Sequence, residues 1–289
     1  MKKGISICLF LLVLFAEVKP QTPSAASTLA SNVTEAKLAS KLMGRPMPYR
    51  VILPEGYLTD KERRYPAIYL LHGLFGSSEN WTTLAKLPTY AKNYQAIIVN
   101  PEGENGWYVD SPTVSSNRYE SYIIKELIPE IDAKYRTNAS RSGRAMAGLS
   151  MGGYGALKFG VKYPEVFSLV GSFSGALGAA TFTSGGPVME AIFKSINESF
   201  GPIGSETRKS NDLFGLVREA SPEKIKTWPF MYLDCGTEDF LFSNNRDFAT
   251  LLSQKKVPHE YRELPGGHTW PYWDKQVTEF LRLSEKFTK

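Results

Sequence analysis

The stretch Gly148-Leu149-Ser150-Met151-Gly152 has the form Gly-x-Ser-x-Gly, and its surroundings give it meaning. Residues 143–147 before it read as a short strand, and residues 153–163 after it read as a helix. A serine on a tight strand-to-helix turn has its hydroxyl lifted clear of the sheet, the geometry of a nucleophile elbow. Glycine suits both flanks because a side chain there would crowd the neighbouring strand and helix. The helix that starts beneath Ser150 also leaves backbone N–H groups free to face a developing oxyanion. Five residues of this kind arise by chance in glycine- and serine-rich turns, so the weight falls on partners further along the chain.

A neutral serine needs a base to take its proton and a carboxylate to orient that base. The chain has three histidines, His72, His259 and His268. His259 follows Val257-Pro258 and reads as a surface residue at the start of a strand. His72 ends an apolar strand in Leu70-Leu71-His72-Gly73-Leu74-Phe75-Gly76 and reads as a structural imidazole bonded to loop backbone. His268 follows Pro265-Gly266-Gly267 on the loop after a strand-like stretch at 260–264, which makes it the candidate base. For the acid, Asp234, Glu238, Asp239 and Asp247 share one neighbourhood after a buried strand at 229–233. Asp234 lies within that strand and Glu238 points roughly opposite to Asp239, so spacing gives Asp239 only a modest lead. The order of nucleophile, acid and base resembles that of an α/β-hydrolase, whose chemistry gathers past the C-terminal ends of the strands. One oxyanion donor in such a site is the N–H after the serine, here Met151, and another comes from an early strand-to-helix loop, here Leu74.

Taken together, His72-Gly73, the run 148–153, Gly236-Thr237-Glu238-Asp239-Phe240-Leu241 and Gly267-His268 resemble the esterase D family. That group includes feruloyl and acetyl-xylan esterases, S-formylglutathione hydrolases, enterochelin esterases and mycolyltransferase antigens. The resemblance covers roughly residues 45–285. It implies Asp239 as the acid and Leu74 as an oxyanion donor. Where mycolyltransferases show Asp-Gly in the early loop, this chain has His72-Gly73, closer to the hydrolases. The segment Asn105-Gly106-Trp107-Tyr108-Val109-Asp110-Ser111-Pro112 resembles the feruloyl esterase-like members.

The remainder of the chain fits this reading. Its 289 residues, 42% of them hydrophobic, bury a substantial core in one α/β domain, expected over 45–289. The net charge of +5 is scattered, with only Lys61-Glu62-Arg63-Arg64 as a cluster, which speaks against a nucleic-acid partner. Lys2 and Lys3 followed by an apolar stretch at 5–15 read as a signal peptide over 1–20, with cleavage as late as 26 an alternative. The expected localisation is therefore secreted or periplasmic, with no stable membrane insertion after removal of the signal. Residues 21–44 are expected to form a tether, with an outlying strand as the alternative. Three separated histidines and Cys235, the one cysteine outside the leader, form no ligand cluster, so neither a metal nor a cofactor is expected.

Strands at 49–53, 65–71, 96–100, 143–147, 168–173, 229–233 and 260–264 alternate with helices at 119–135, 153–163 and 272–287. The pattern predicts an α/β-hydrolase fold, a mostly parallel central sheet with helices on both faces. Two segments, 102–118 and 174–228, are too long for simple connections and read as pocket walls. The first is the better candidate, because Trp107 and Tyr108 offer stacking faces for a phenolic or sugar ring. Arg118 and Glu120 read either as polar contacts there or as helix caps.

The expected reaction is ester hydrolysis. Ser150 attacks, His268 acts as base, Asp239 orients it, and Leu74 and Met151 hold the oxyanion. The resemblance implies feruloyl or acetyl esters of plant polysaccharides as substrates. An acyltransferase with a sugar acceptor is one alternative, and a non-catalytic carbohydrate-binding protein on the same scaffold is another.

Overall fold

In the computed structural model, which describes residues 29–183 and 189–289, eight strands form one sheet. They are β1 (Val33–Ser40), β2 (Arg45–Ile52), β3 (Ala67–Leu71), β4 (Ile97–Pro101), β5 (Arg144–Leu149), β6 (Leu169–Phe173), β7 (Phe230–Gly236) and β8 (His259–Leu264). Their spatial order is β1-β2-β4-β3-β5-β6-β7-β8. The first two are antiparallel to their neighbours, and every pair from β4 onward is parallel. The central parallel strands are buried throughout and mostly apolar, as a sheet covered on both faces requires.

Five helices matter for the site. The first, α1, is continuous through Tyr119–Tyr122, a π turn at Ile123–Leu127, and Ile128–Lys134. It is followed by α2 (Met151–Lys162), α3 (Glu190–Phe200), α4 (Phe242–Gln254) and α5 (Trp270–Phe287). Tyr122, Ile131, Leu157, Phe159, Ile196 and Phe248 of the first four pack on one face of the sheet. Val277, Phe280 and Leu281 of α5 pack on the other, beside Trp81 and Leu87. The mostly parallel sheet with helices on both faces is thus as expected. The π turn was not legible from periodicity. Pro129 has no N–H to give the carbonyl four residues back, and the wider turn absorbs that gap.

The N-terminal boundary needs correction. Residues 33–40, expected to be part of a tether over 21–44, form the edge strand β1, paired with β2 along its whole length. Its turn is held by Glu126 of α1, which accepts the N–H groups of Lys41 and Leu42 at 3.0 and 3.1 Å. The signal peptide expected over 1–20 lies outside the described residues. The segment 174–228 is not an open loop, since it carries α3 and three shorter helices.

Candidate active site

Ser150 lies between the end of β5 and the first residue of α2, with φ 53° and ψ −116°. That backbone conformation costs a non-glycine residue about 1–3 kcal/mol and persists only where its surroundings enforce it. Here Ser150 N–H donates to Phe173 O at 3.0 Å, and Ser150 O accepts from Tyr154 and Ala176 at 3.1 and 3.0 Å. Gly152 is fixed by close approach, because a Cβ there would lie 2.5 Å from Leu71 O and 2.6 Å from His72 O. Strand, turn and helix therefore interlock around the serine.

The other two groups arrive on the loops after β7 and β8. His268 Nε2 is 3.0 Å from Ser150 Oγ, and His268 Nδ1 is 2.9 Å from Asp239 Oδ2. Gly236 keeps these loops in contact, since a Cβ on it would fall 2.0 Å from Gly266 O. Burial pushes the Asp239 carboxyl up. The hydrogen bonds from His268 and from Leu241 N–H, with the charge of His268, outweigh this and hold it below the ordinary carboxylate range. The imidazole is packed between Phe240 and Trp273, with ring centroids 4.6 and 4.8 Å away.

The alternative carboxylates are placed elsewhere. Glu238 turns outward to accept Gly266 N–H, and Asp247 is exposed on α4. Asp234 is fully buried in β7, where Tyr272 O–H donates to it at 3.0 Å. Burial pushes its carboxyl up to about 7 despite the Tyr272 hydrogen bond and the charge of Arg262.

Leu74 lines the space in front of Ser150, and its N–H has no backbone acceptor among the described residues. Met151 N–H, first in α2, has none within the helix. His72 is buried and braces the Leu74 loop. Its Nδ1–H donates to Gly73 O at 2.7 Å, and its Nε2 lies 3.0 Å from Glu102 Oε1. The Glu102 carboxylate also accepts the N–H groups of Ser78, Gly103 and Glu104. Burial pushes Glu102 up, but His72 and these N–H groups hold it below its usual range. Sequence reading left Glu102 unassigned, although Pro101-Glu102-Gly103 directly follows a core strand.

Two cavities open beside Ser150 and His268, of about 640 and 290 Å³. The larger is walled by Ala176, Ala179, Phe182, Met189, Ile192 and Ile196, with Trp107 from the earlier loop. The segment 174–228 therefore supplies more of the wall than 102–118, the reverse of the sequence expectation. Trp107 shows only 3% of its surface, and its indole N–H donates to Ser195 Oγ of α3 at 3.0 Å. Tyr108 needs correction as a binding residue. It is fully buried, donates its O–H to His72 O at 3.0 Å, and offers no face to a ligand. Arg118 pairs with Asp110, and Glu120 pairs with the buried Lys158 at 2.7 Å, so neither enters the pocket. Asn244 is a polar group that sequence reading missed; it lines the larger cavity and accepts Gly178 N–H at 3.1 Å. Among the described residues no three His, Cys, Asp or Glu side chains gather around a metal-sized point, and no helix is long and apolar enough to cross a membrane.

Comparison with known proteins identifies the family. The family model described as "Putative esterase" matches residues 40–283. An acetyl esterase of Caldicellulosiruptor saccharolyticus is 30% identical over 222 residues, which cover 76% of this chain and 83% of that protein. An esterase of Mycobacterium tuberculosis is 33% identical over 246 residues, covering 76% of this chain but 52% of its own length, so the chain spans about half of that relative. Among solved structures, a ferulic acid esterase superposes with a TM-score of 0.77 at 27% identity, covering 90% of this chain and 100% of that one.

Proposed function

The chain belongs to the "Putative esterase" family of carboxylic ester hydrolases, and from that premise we propose that Ser150, His268 and Asp239 form its catalytic triad. In the first half-reaction His268 Nε2 takes the Ser150 proton as Oγ adds to the ester carbonyl. The carbonyl oxygen becomes an oxyanion held by the N–H groups of Leu74 and Met151. Collapse expels the alcohol, which leaves with the proton from His268. Water then repeats the sequence on the acyl-enzyme, with His268 again as base, and releases the acid. Asp239 fixes the imidazole tautomer and stabilises the imidazolium throughout. The observation that carries the reading is the unbroken relay of 2.9 and 3.0 Å from Asp239 through His268 to a serine held at positive φ.

For the acyl group, the proposal is an uncharged ring of feruloyl type. Support comes from a larger cavity that is mostly apolar, has no Lys, Arg, Asp or Glu among its described lining residues, and is roomy for an acetyl group. Acetyl esters are the second reading, favoured by the acetyl esterase relative. The basic and apolar start of the sequence supports export out of the cytoplasm, to the side of the membrane on which plant polysaccharide esters are met. A panel of methyl ferulate, p-nitrophenyl acetate, butyrate and octanoate, and acetylated xylan tests the proposal. Turnover favouring ferulate and abolished by Ser150→Ala is the expected result. A folded protein that cleaves none of them contradicts it.

A further inference from the structure

The described residues bury three cationic side chains, Arg50, Lys158 and Arg208. Arg50 pairs with Glu35 and Glu79, and Lys158 pairs with Glu120. Arg208, on the short helix Glu206–Ser210, is only 5% exposed. Burial pushes its guanidinium down from the ordinary value, and no acidic neighbour among the described residues raises it. A buried charge without a counter-ion is unfavourable unless hydrogen bonds replace its hydration. Here Nη1 donates to Ala180 O and Phe182 O, both at 2.9 Å, Nε donates to Gly201 O at 2.9 Å, and Nη2 donates to Asn197 Oδ1 at 2.7 Å. All of these acceptors are neutral.

The acceptors indicate what the charge is for. Ala180 and Phe182 belong to a run in which Ala179, Thr181, Phe182 and Thr183 line the larger cavity at Ser150. A single 3-10 turn over Ala179–Thr181 orders this run, and no other described group donates to the carbonyls of Ala180 and Phe182. Asn197 lies in α3 and Gly201 directly follows it, while Ile192 and Ile196 of α3 line the same cavity. Arg208 is not itself in the lining. It stands behind the wall and ties its two parts together. A planar guanidinium offers donors in several directions at once, and bonds from an ionised donor are roughly twice as strong as neutral ones.

We propose that Arg208 is a positioning residue for acyl specificity: its guanidinium clasps the run 179–183 to α3 and so fixes the wall against which a bulky acyl group packs. The clasp rests on the serine esterase reading above, with the larger cavity as the acyl site, and adds the residue that keeps this cavity in shape. A bulky acyl group reaches the wall, whereas an acetyl group on Ser150 leaves most of the 640 Å³ unfilled. Loosening the clasp therefore penalises the first and spares the second.

The test compares p-nitrophenyl ferulate, octanoate and acetate, three esters of one phenol, in the wild type, Arg208→Met, Arg208→Lys and Asn197→Leu. The quantity read is the ratio of kcat/KM for the better of the two bulky esters to that for acetate. Methionine keeps the apolar stem and removes every hydrogen bond of the clasp. Lysine keeps the charge but donates from a single point, so it cannot span acceptors on both sides. Both are expected to lower the ratio about 10- to 100-fold, through KM for the bulky ester, with kcat for acetate and its pH profile unchanged. Asn197→Leu leaves Arg208 in place and breaks only its tie to α3; it is expected to lower the ratio about 3-fold, and it carries the test where the Arg208 variants fail to fold by circular dichroism. An unchanged ratio in a folded Arg208→Met, or in Asn197→Leu where the Arg208 variants do not fold, overturns the clasp. So does an equal loss for all three esters, which assigns Arg208 to stability alone, and so does a wild-type ratio in Arg208→Lys, which assigns the effect to charge. Failure of the wild type to cleave any of the three overturns the esterase mechanism itself, a result distinct from an unchanged ratio.

Discussion

Gly152→Ala is the sharpest structural perturbation of the elbow. The added Cβ would lie 2.5 Å from Leu71 O and 2.6 Å from His72 O, both backbone atoms that cannot rotate away. To reach ordinary contact, the turn and the exit of β3 must part by ~0.9 Å. Overpacking of this kind costs about 1–3 kcal/mol of stability. The displaced backbone leads within two residues to Leu74, while Met151 adjoins Gly152 on the opposing side. The two proposed oxyanion donors therefore move apart, and a misplacement approaching 1 Å costs on the order of 10²-fold in rate. Urea unfolding reads the first effect, and kcat on the preferred ester reads the second. Gly152→Ala with wild-type kcat and an unchanged unfolding midpoint would refute both the packing argument and the placement of the donors.

Further expectations follow from other contacts. Asp239→Asn leaves the fold intact but is expected to lower kcat about 10⁴-fold, by removing the partner that sets the His268 tautomer; a loss under tenfold in steady-state assays rejects that role. Lys158 is fully buried, and Glu120 is its partner at 2.7 Å. Burial brings the Lys158 ammonium down to about 8 even beside Glu120. Lys158→Met leaves the Glu120 carboxylate held only by Lys162 and the Tyr163 hydroxyl, so a loss of about 3–5 kcal/mol is expected in denaturant unfolding; a neutral substitution contradicts it. Asp234 binds its proton more tightly in the folded chain, with the carboxyl at about 7 against an unfolded value of 3.8. Stability from this group is therefore full below pH 4, falls as pH rises toward 7, and is flat above. Asp234→Asn is expected to remove that slope and to gain up to roughly 4 kcal/mol over the wild type at pH 8. Parallel pH profiles of the two proteins would argue against it.

The parts of the fold that the sequence revealed are those set by local pattern. Runs such as Ile97-Ile98-Val99 can only be buried strands, and Gly148 to Gly152 must turn sharply to bring a helix onto β3. Positions set by distant partners were not legible. Val33-Thr34-Glu35-Ala36-Lys37 is polar enough to pass for a tether, and becomes a strand because β2 offers a free edge. Tyr108 looks like a ligand platform beside Trp107. It is buried because Gly103 and Gly155 leave room for its ring, and its hydroxyl is claimed by His72 O. The wall at 176–196 has no motif of its own, and its role emerges only when α3 folds back over Ser150.

The most direct test of the mechanism is to trap the acyl-enzyme. The protein is mixed with p-nitrophenyl ferulate, quenched in acid on the millisecond scale, digested, and mapped by mass spectrometry. A feruloyl group on the peptide containing Ser150, absent from Ser150→Ala, is the predicted result. Turnover of the ester with no acyl adduct on that peptide, or an adduct that persists in Ser150→Ala, would contradict the account.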